Sequence, residues 1–198
     1  MALKASARAR PLAAIAAFRA AFGDREDRIL VLKLSHTEHW PRDLALLREA
    51  ASGTGNIRID TRVLPLAEYH ALTRCADAVL SLHRSEGFGL VPAEAMLLGK
   101  PVIATDWSAT AEFIDDSSGV PVPYILIPAK DPRGVFEAPG AVWADADVPA
   151  AAAALRALAD NPGRCQALGL AAEAAARRRF TAAPLRDALC GIGLDMAA

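Results

Sequence analysis

The chain has 198 residues, a formal net charge of −1 and an apolar content of 53%. That length supports one sizeable core, the near-neutral balance excludes a global affinity for nucleic acid, and the apolar content excludes disorder. No apolar run approaches the ~20 residues of a membrane helix.

Cys75, Cys165 and Cys190 are odd in number and lack CxxC spacing. This argues against a disulfide framework or zinc site and for a reducing, cytoplasmic compartment. The opening MALKASARARPLAAIAAFRAAF is basic and alanine-rich in the manner of a leader peptide. Arg19 breaks its apolar run, however, and Leu12, Ile15, Phe18 and Phe22 recur at helical spacing, so the first predicted element is an amphipathic helix, Pro11–Phe22.

Arg28–Leu34 follows as a strand that is apolar on both faces, as a central parallel strand must be. Trp40-Pro41 opens a helix to about Ser52, Asn56–Asp60 is a short strand, Pro65–Cys75 a helix, and Ala76–Leu82 a strand. A helix with Pro92 at its first position then runs to a stop at Gly99, and Pro101–Thr105 is a buried strand. Ser108–Ile114 reads as a short helix that Ser108 could cap. Five prolines from Pro121 to Pro139 erase any helical period, leaving extended pieces at Val120–Val122 and Tyr124–Ile127 and a loop through Asp131–Gly134. Helices at Pro149–Asp160, Gly163–Arg178 and Ala183–Cys190 complete the chain. The alternation predicts a Rossmann-like, doubly wound parallel sheet of the α/β class with a helical C-terminal tail. Its strands would present Lys33 to His36, Asp60 to Arg62, Leu82 to Glu86 and Asp106 to Thr110 along one carboxyl edge.

Ser81–Asp106, SLHRSEGFGLVPAEAMLLGKPVIATD, carries the chemistry. Gly87 and Gly89 remove the Cβ atoms that would keep a ligand from the backbone. Glu86 precedes the turn, and Glu94 falls in the first turn of the predicted helix, where the dipole favours a carboxylate. Bare N–H groups suit an anion and carboxylates suit hydroxyls. A ligand with a diphosphate and many hydroxyls, a nucleotide sugar, satisfies both at the carboxyl end of a strand. The plainer reading of these residues is a strand–turn–helix with one capping and one surface acid.

Glu86-x7-Glu94, with GFGL inside it and EAMLLGKPVIAT after it, resembles the donor-binding signature of retaining glycosyltransferases of the GT-B fold, the glycosyl transferases group 1 family. The likeness extends from about Arg8 to Phe180, and Arg8-Ala9-Arg10-Pro11-Leu12-Ala13-Ala14-Ile15 resembles a family stretch that reads RKNPLAAI. The resemblance implies one half of a GT-B protein, the donor side, with residues 1–10 a remnant loop, 11–145 the α/β core and 146–198 the tail. It further implies that the acceptor-binding domain and the strand before Arg8 are missing from this chain. Glu86 would then hold sugar hydroxyls, the backbone of Gly87, Phe88, Gly89 and Leu90 would approach sugar and diphosphate, and Glu94 would bind the ribose. Arg8 and Arg10 would neutralise the departing diphosphate, with Ala9 where the family has lysine.

Other residues keep two readings. Lys33 could reach phosphate or base, or be a solvated edge lysine; His83 could touch the donor or be a packed core histidine. Ser108 and Thr110 could contact phosphate, or Ser108 could cap its helix. His36 and His39, spaced HTEH, lack both the HExxH spacing and a third ligand. No metal or other cofactor is therefore expected, and the nucleotide sugar enters as substrate. Arg177-Arg178-Arg179 reads as a solvated helix end. Three functional readings follow: the donor half of a hexosyltransferase using a GDP- or UDP-linked sugar, a catalytically inactive nucleotide-sugar-binding module, or an interaction protein. The first would need an acceptor domain, which another chain could supply, and the last would associate with itself or a partner through unpaired edges and the exposed interdomain face.

Overall fold

The computed structural model describes residues 10–131, 134 and 138–192. Helix α1 (Pro11–Phe22) leads into β1 (Leu30–Lys33), α2 (Pro41–Ala51), β2 (Ile57–Asp60), α3 (Leu66–Cys75) and β3 (Val79–Ser81). Next come α4 (Leu90–Leu97), β4 (Val102–Thr105), β5 (Val120–Val122), β6 (Tyr124–Pro128) and β7 (Val142–Ala146), then α5 (Val148–Ala159), α6 (Pro162–Arg179) and α7 (Ala183–Gly191).

Strands β1 and β2 pair in parallel, with Leu30 opposite Ile57 and Lys33 opposite Asp60. Strand β4 lies between β3 and β5, parallel to both. The doubly wound α/β expectation holds, but the parallel strands form two sets; β1 and β3 do not pair among the described residues. The sets share one core nonetheless. Leu32 and Leu34 from the first, and Leu82 and Ile103 from the second, are fully buried in the same cluster as α1 and α5. A cavity lined by Phe22, Leu30, Leu80 and Leu158 opens between the sets at the amino edge, and no residue from 83 to 94 lines it.

The buried face of α1 is wider than its predicted stripe. Ala13, Ala14 and Ala17 join Ile15, Phe18 and Phe22 inside, whereas Leu12 is exposed. Alanines also line the opposing helix α5, where Ala151 and Ala152 are buried, so the two backbones pack closely. A second core cluster packs Ala95 and Met96 of α4 against Ala172 and Ala176 of α6 and Val102 and Ala104 of β4. Two of the tail helices are thus integral to the core.

Strand β7 was not expected from the sequence, where only Asp145 interrupts an apolar run from Ala141 to Ala146. It pairs antiparallel with β6, Ile127 opposite Trp143 and Ile125 opposite Asp145. The Ala144 N–H also donates to the Arg84 carbonyl at 3.1 Å, which seats the hairpin beside the segment leaving β3.

Candidate functional site

Between β3 and α4 the chain must turn from a fully buried strand into a helix that packs on that strand's own sheet. Gly89 makes the turn with φ of 82°, in the left-handed region where side chains are strained. Helix α4 consequently begins at Leu90, two residues before the predicted start, and Pro92 occupies its third position rather than its first. Glu94 therefore lies beyond the first turn, and its place beside the ligand surface cannot rest on the helix dipole. Gly87 and Phe88 are exposed, Leu90 is 64% exposed, and Gly89 is buried. Helical geometry leaves the first N–H groups of α4 without carbonyl partners in the helix, so open backbone donors stand between the half-buried Glu86 and Glu94.

The loop rests on buried supports. His83 is fully buried; its Nε2 lies 3.0 Å from the Trp107 carbonyl and 3.1 Å from Thr110 Oγ1, and its Nδ1 lies 3.3 Å from Ser81 Oγ. Thr110 Oγ1 also donates to the Thr105 carbonyl at 3.2 Å, and the residue is 1% exposed. This arrangement supports the packed-histidine reading, and Thr110 joins the same clasp between the ends of β3 and β4 instead of facing solvent as a phosphate contact would. Ser108 does not cap its 3₁₀ turn: Trp107 is the flanking residue, and the Ser108 hydroxyl accepts the Glu86 N–H at 2.9 Å. Ser108 adopts φ of 59° to do so. The hydroxyl thereby sets the backbone of the first acid. Phe88 turns its ring into an aromatic group with Phe180 at 5.6 Å and Phe113 at 6.3 Å, so this residue offers a ligand its backbone more than its ring.

Lys33 is buried, not solvated. Its ammonium donates to the Leu34 carbonyl at 2.9 Å and to the Arg62 carbonyl, and lies 3.7 Å from Asp60 Oδ1. It closes the carboxyl ends of β1 and β2 and leaves little charge for a ligand. The Arg62 side chain hydrogen-bonds Asp60 and, with the nearby Lys33 charge, holds the Asp60 carboxyl well below the usual carboxylate range. A carboxyl whose folded pKa lies below its unfolded value stabilises the fold above the unfolded value and loses that contribution as pH falls. Thermal melts should show stability declining below about pH 4, and Asp60→Asn should be less stable at pH 7 with a shallower acid decline. An unchanged acid limb would remove Asp60 from this role.

Glu94 has a neighbour the sequence did not reveal. Burial, together with the Glu94 charge, pushes the Tyr69 hydroxyl on α3 up to about 12. Arg84 and Asp145 were also missed: Arg10 Nη1 lies 2.5 Å from Asp145 Oδ1, and Arg84 Nη2 lies 3.9 Å from the same oxygen. Arg8 lies outside the described residues. His36 and His39 stand on either side of Glu38, at 3.5 and 3.7 Å, on an exposed turn. Among the described residues no helix is long and apolar enough to cross a membrane.

Residues 38–161 match the family model described as Glycosyl transferases group 1. The lipopolysaccharide core biosynthesis mannosyltransferase LpsB of Rhizobium meliloti (strain 1021) is 38% identical over 81 residues, which are 41% of this chain and 22% of that protein. The C-terminal domain of a glycosyl transferase group 1 family protein (LpcC) from Francisella tularensis superposes with a TM-score of 0.65 at 18% identity, over 91% of this chain and 84% of that domain. Anabaena Alr3699/HepE in complex with UDP gives a TM-score of 0.66 at 17% identity, over 96% of this chain and 48% of that one. The alignment thus spans about a fifth of the curated relative and about half of HepE.

Proposed function

This chain belongs to the glycosyl transferases group 1 family, and from that premise we propose that it is a donor-binding domain. Its substrate would be a GDP- or UDP-linked hexose, transferred with retention at the anomeric carbon. The observation that carries the reading is the turn after β3, where Glu86 and Glu94 flank the open backbone of residues 87–90 at the carboxyl edge of a parallel sheet. Ligands of open α/β sheets bind at that edge. In this reading Glu86 orients sugar hydroxyls, with its backbone N–H held by Ser108, and Glu94 accepts from the ribose. The N–H groups at the start of α4 approach the diphosphate. Arg10 supplies charge to the leaving group, where negative charge develops.

The named activity of LpsB, a mannosyltransferase, and the UDP bound by HepE support a nucleotide-sugar donor. A domain outside the aligned part would bind the acceptor, consistent with the share of these relatives that the chain covers. The free thiols of Cys75, Cys165 and Cys190 suit a reducing, cytoplasmic compartment.

Calorimetric titration with UDP, GDP, UDP-glucose and GDP-mannose tests the proposal. One base should bind, and Glu94→Ala should weaken it about ten- to hundredfold, as the loss of charged hydrogen bonds predicts. Absence of binding to all four would overturn the donor-site reading.

A further inference from the structure

Three segments converge beside the loop that carries Glu86. Arg10 precedes α1 with a left-handed backbone, φ 46°. Arg84 lies on the stretch that leaves β3, and its carbonyl is held by the Ala144 N–H. Asp145 comes from β7. The two guanidinium groups share a single carboxylate oxygen, at 2.5 and 3.9 Å, and all three side chains are three-quarters buried or nearly so. Among the described residues the cluster therefore carries an excess positive charge in a partly desolvated place. Arg84 Nε is buried with no hydrogen-bond partner among the described residues, and Arg10 Nη1 and Asp145 Oδ1 approach as an ion pair without hydrogen-bond geometry. The guanidinium carbon lies 5.0 Å from the Trp143 ring centroid, so the ring covers the group while Nη2 faces Asp145 and Nε keeps its donor unused. Burial and the Arg10 charge push the Arg84 guanidinium below its ordinary value, against the pull of Asp145. Among the described residues one carboxylate stands against two largely buried cations.

We propose that Arg84 and Arg10 form a paired arginine site for the diphosphate of the donor, with Arg84 in the place of a second cation and Asp145 positioning both. This rests on the donor-site reading above and names the group that would take the diphosphate charge. Planar guanidinium groups bind phosphate oxygens in pairs, a geometry a diphosphate meets better than a monophosphate. In the competing role, Arg84 would only staple the β6–β7 hairpin to the core through Trp143 and Asp145. That role moves stability and leaves phosphate discrimination alone.

The test compares affinities for UDP and UMP, and for GDP and GMP, in the full chain and in Arg84→Met, Arg84→Lys and Arg10→Met, with melting temperature measured alongside. Arg84→Met should lower diphosphate affinity about tenfold or more and monophosphate affinity by less than about threefold. Arg84→Lys should recover part of the lost discrimination, since charge returns without the fork. Arg10→Met, which leaves the Trp143 contact in place, should lose the same discrimination and carries the test if Arg84→Met fails to fold. An unaltered diphosphate-to-monophosphate ratio in folded Arg84 and Arg10 variants, with only the melting temperature lowered, would overturn the paired site and leave the donor site standing. Failure of the unmodified chain to bind any of the four nucleotides would overturn both.

Discussion

Gly89→Ala should destabilise the chain by about 3 kcal/mol and abolish nucleotide binding in whatever fraction stays folded. Two costs combine at this position. The backbone sits at φ of 82°, which a side chain strains, and a Cβ placed there would lie 2.7 Å from Thr110 Cγ2 and 3.3 Å from Phe113 Cζ. Thr110 cannot yield cheaply, because its hydroxyl lies against His83 and bonds the Thr105 carbonyl in a fully buried clasp. Relief must therefore come from the loop, which would carry the 87–90 backbone and Glu86 away from their present geometry. Gly87→Ala is the control, since a Cβ there meets nothing within 4 Å. It should leave stability within about 0.5 kcal/mol, as a surface change does. Chemical denaturation of both variants, with titration of the nucleotide that binds, decides the matter. Equal stability of the two would show that the turn tolerates what its geometry forbids.

The second large effect lies far from the ligand surface. Gly169 is in the middle of α6, where alanine ordinarily improves an exposed helix by about 1 kcal/mol. Here the opposite sign is expected, a loss of about 3 kcal/mol. A Cβ on Gly169 would come within 2.3 Å of the Gly99 carbonyl oxygen and 3.3 Å of Pro101 Cδ. The first of these is backbone, at the stop between α4 and β4, and cannot rotate aside. Helix α6 would have to withdraw from α4, opening the cluster of Met96, Ala172 and Ala176. Gly163→Ala on the same helix, whose Cβ would meet only Asn161 Oδ1 at 3.6 Å, should be near neutral. A stabilised Gly169→Ala would show that α6 is free to shift and that the contact does not organise the fold.

The order of helices and strands was legible because it rests on local physics. Proline at or near the first turn, apolar runs in short strands and the helical spacing of Ile15, Phe18 and Phe22 each act within a few residues. The segment from Glu86 to Glu94 could be read as a turn for the same reason, since a strand end, a glycine turn and a helix start are local features, although the backbone of the first acid is set by Ser108 from elsewhere in the chain. Those local terms specified an α/β chain with an acid-flanked glycine turn after a strand, and the family followed from the resemblance of that motif and from the match of residues 38–161 to the family model.

Contacts across the sequence decided the rest. Ser108 holds the Glu86 backbone from 22 residues away, and His83 and Thr110 are buried because β3 and β4 lie side by side. Lys33 is withdrawn from solvent because the end of β2 offers it the Asp60 and Arg62 carbonyls and the Asp60 carboxylate. Neither Gly169 nor Arg84 announces its surroundings in sequence: one meets the Gly99 carbonyl only where α6 packs on the stop of α4, the other meets Asp145 and Trp143 only where β7 comes beside it. Residue type and spacing record what a segment can do alone. Burial, charge balance and collision distances are set by the neighbours that folding supplies.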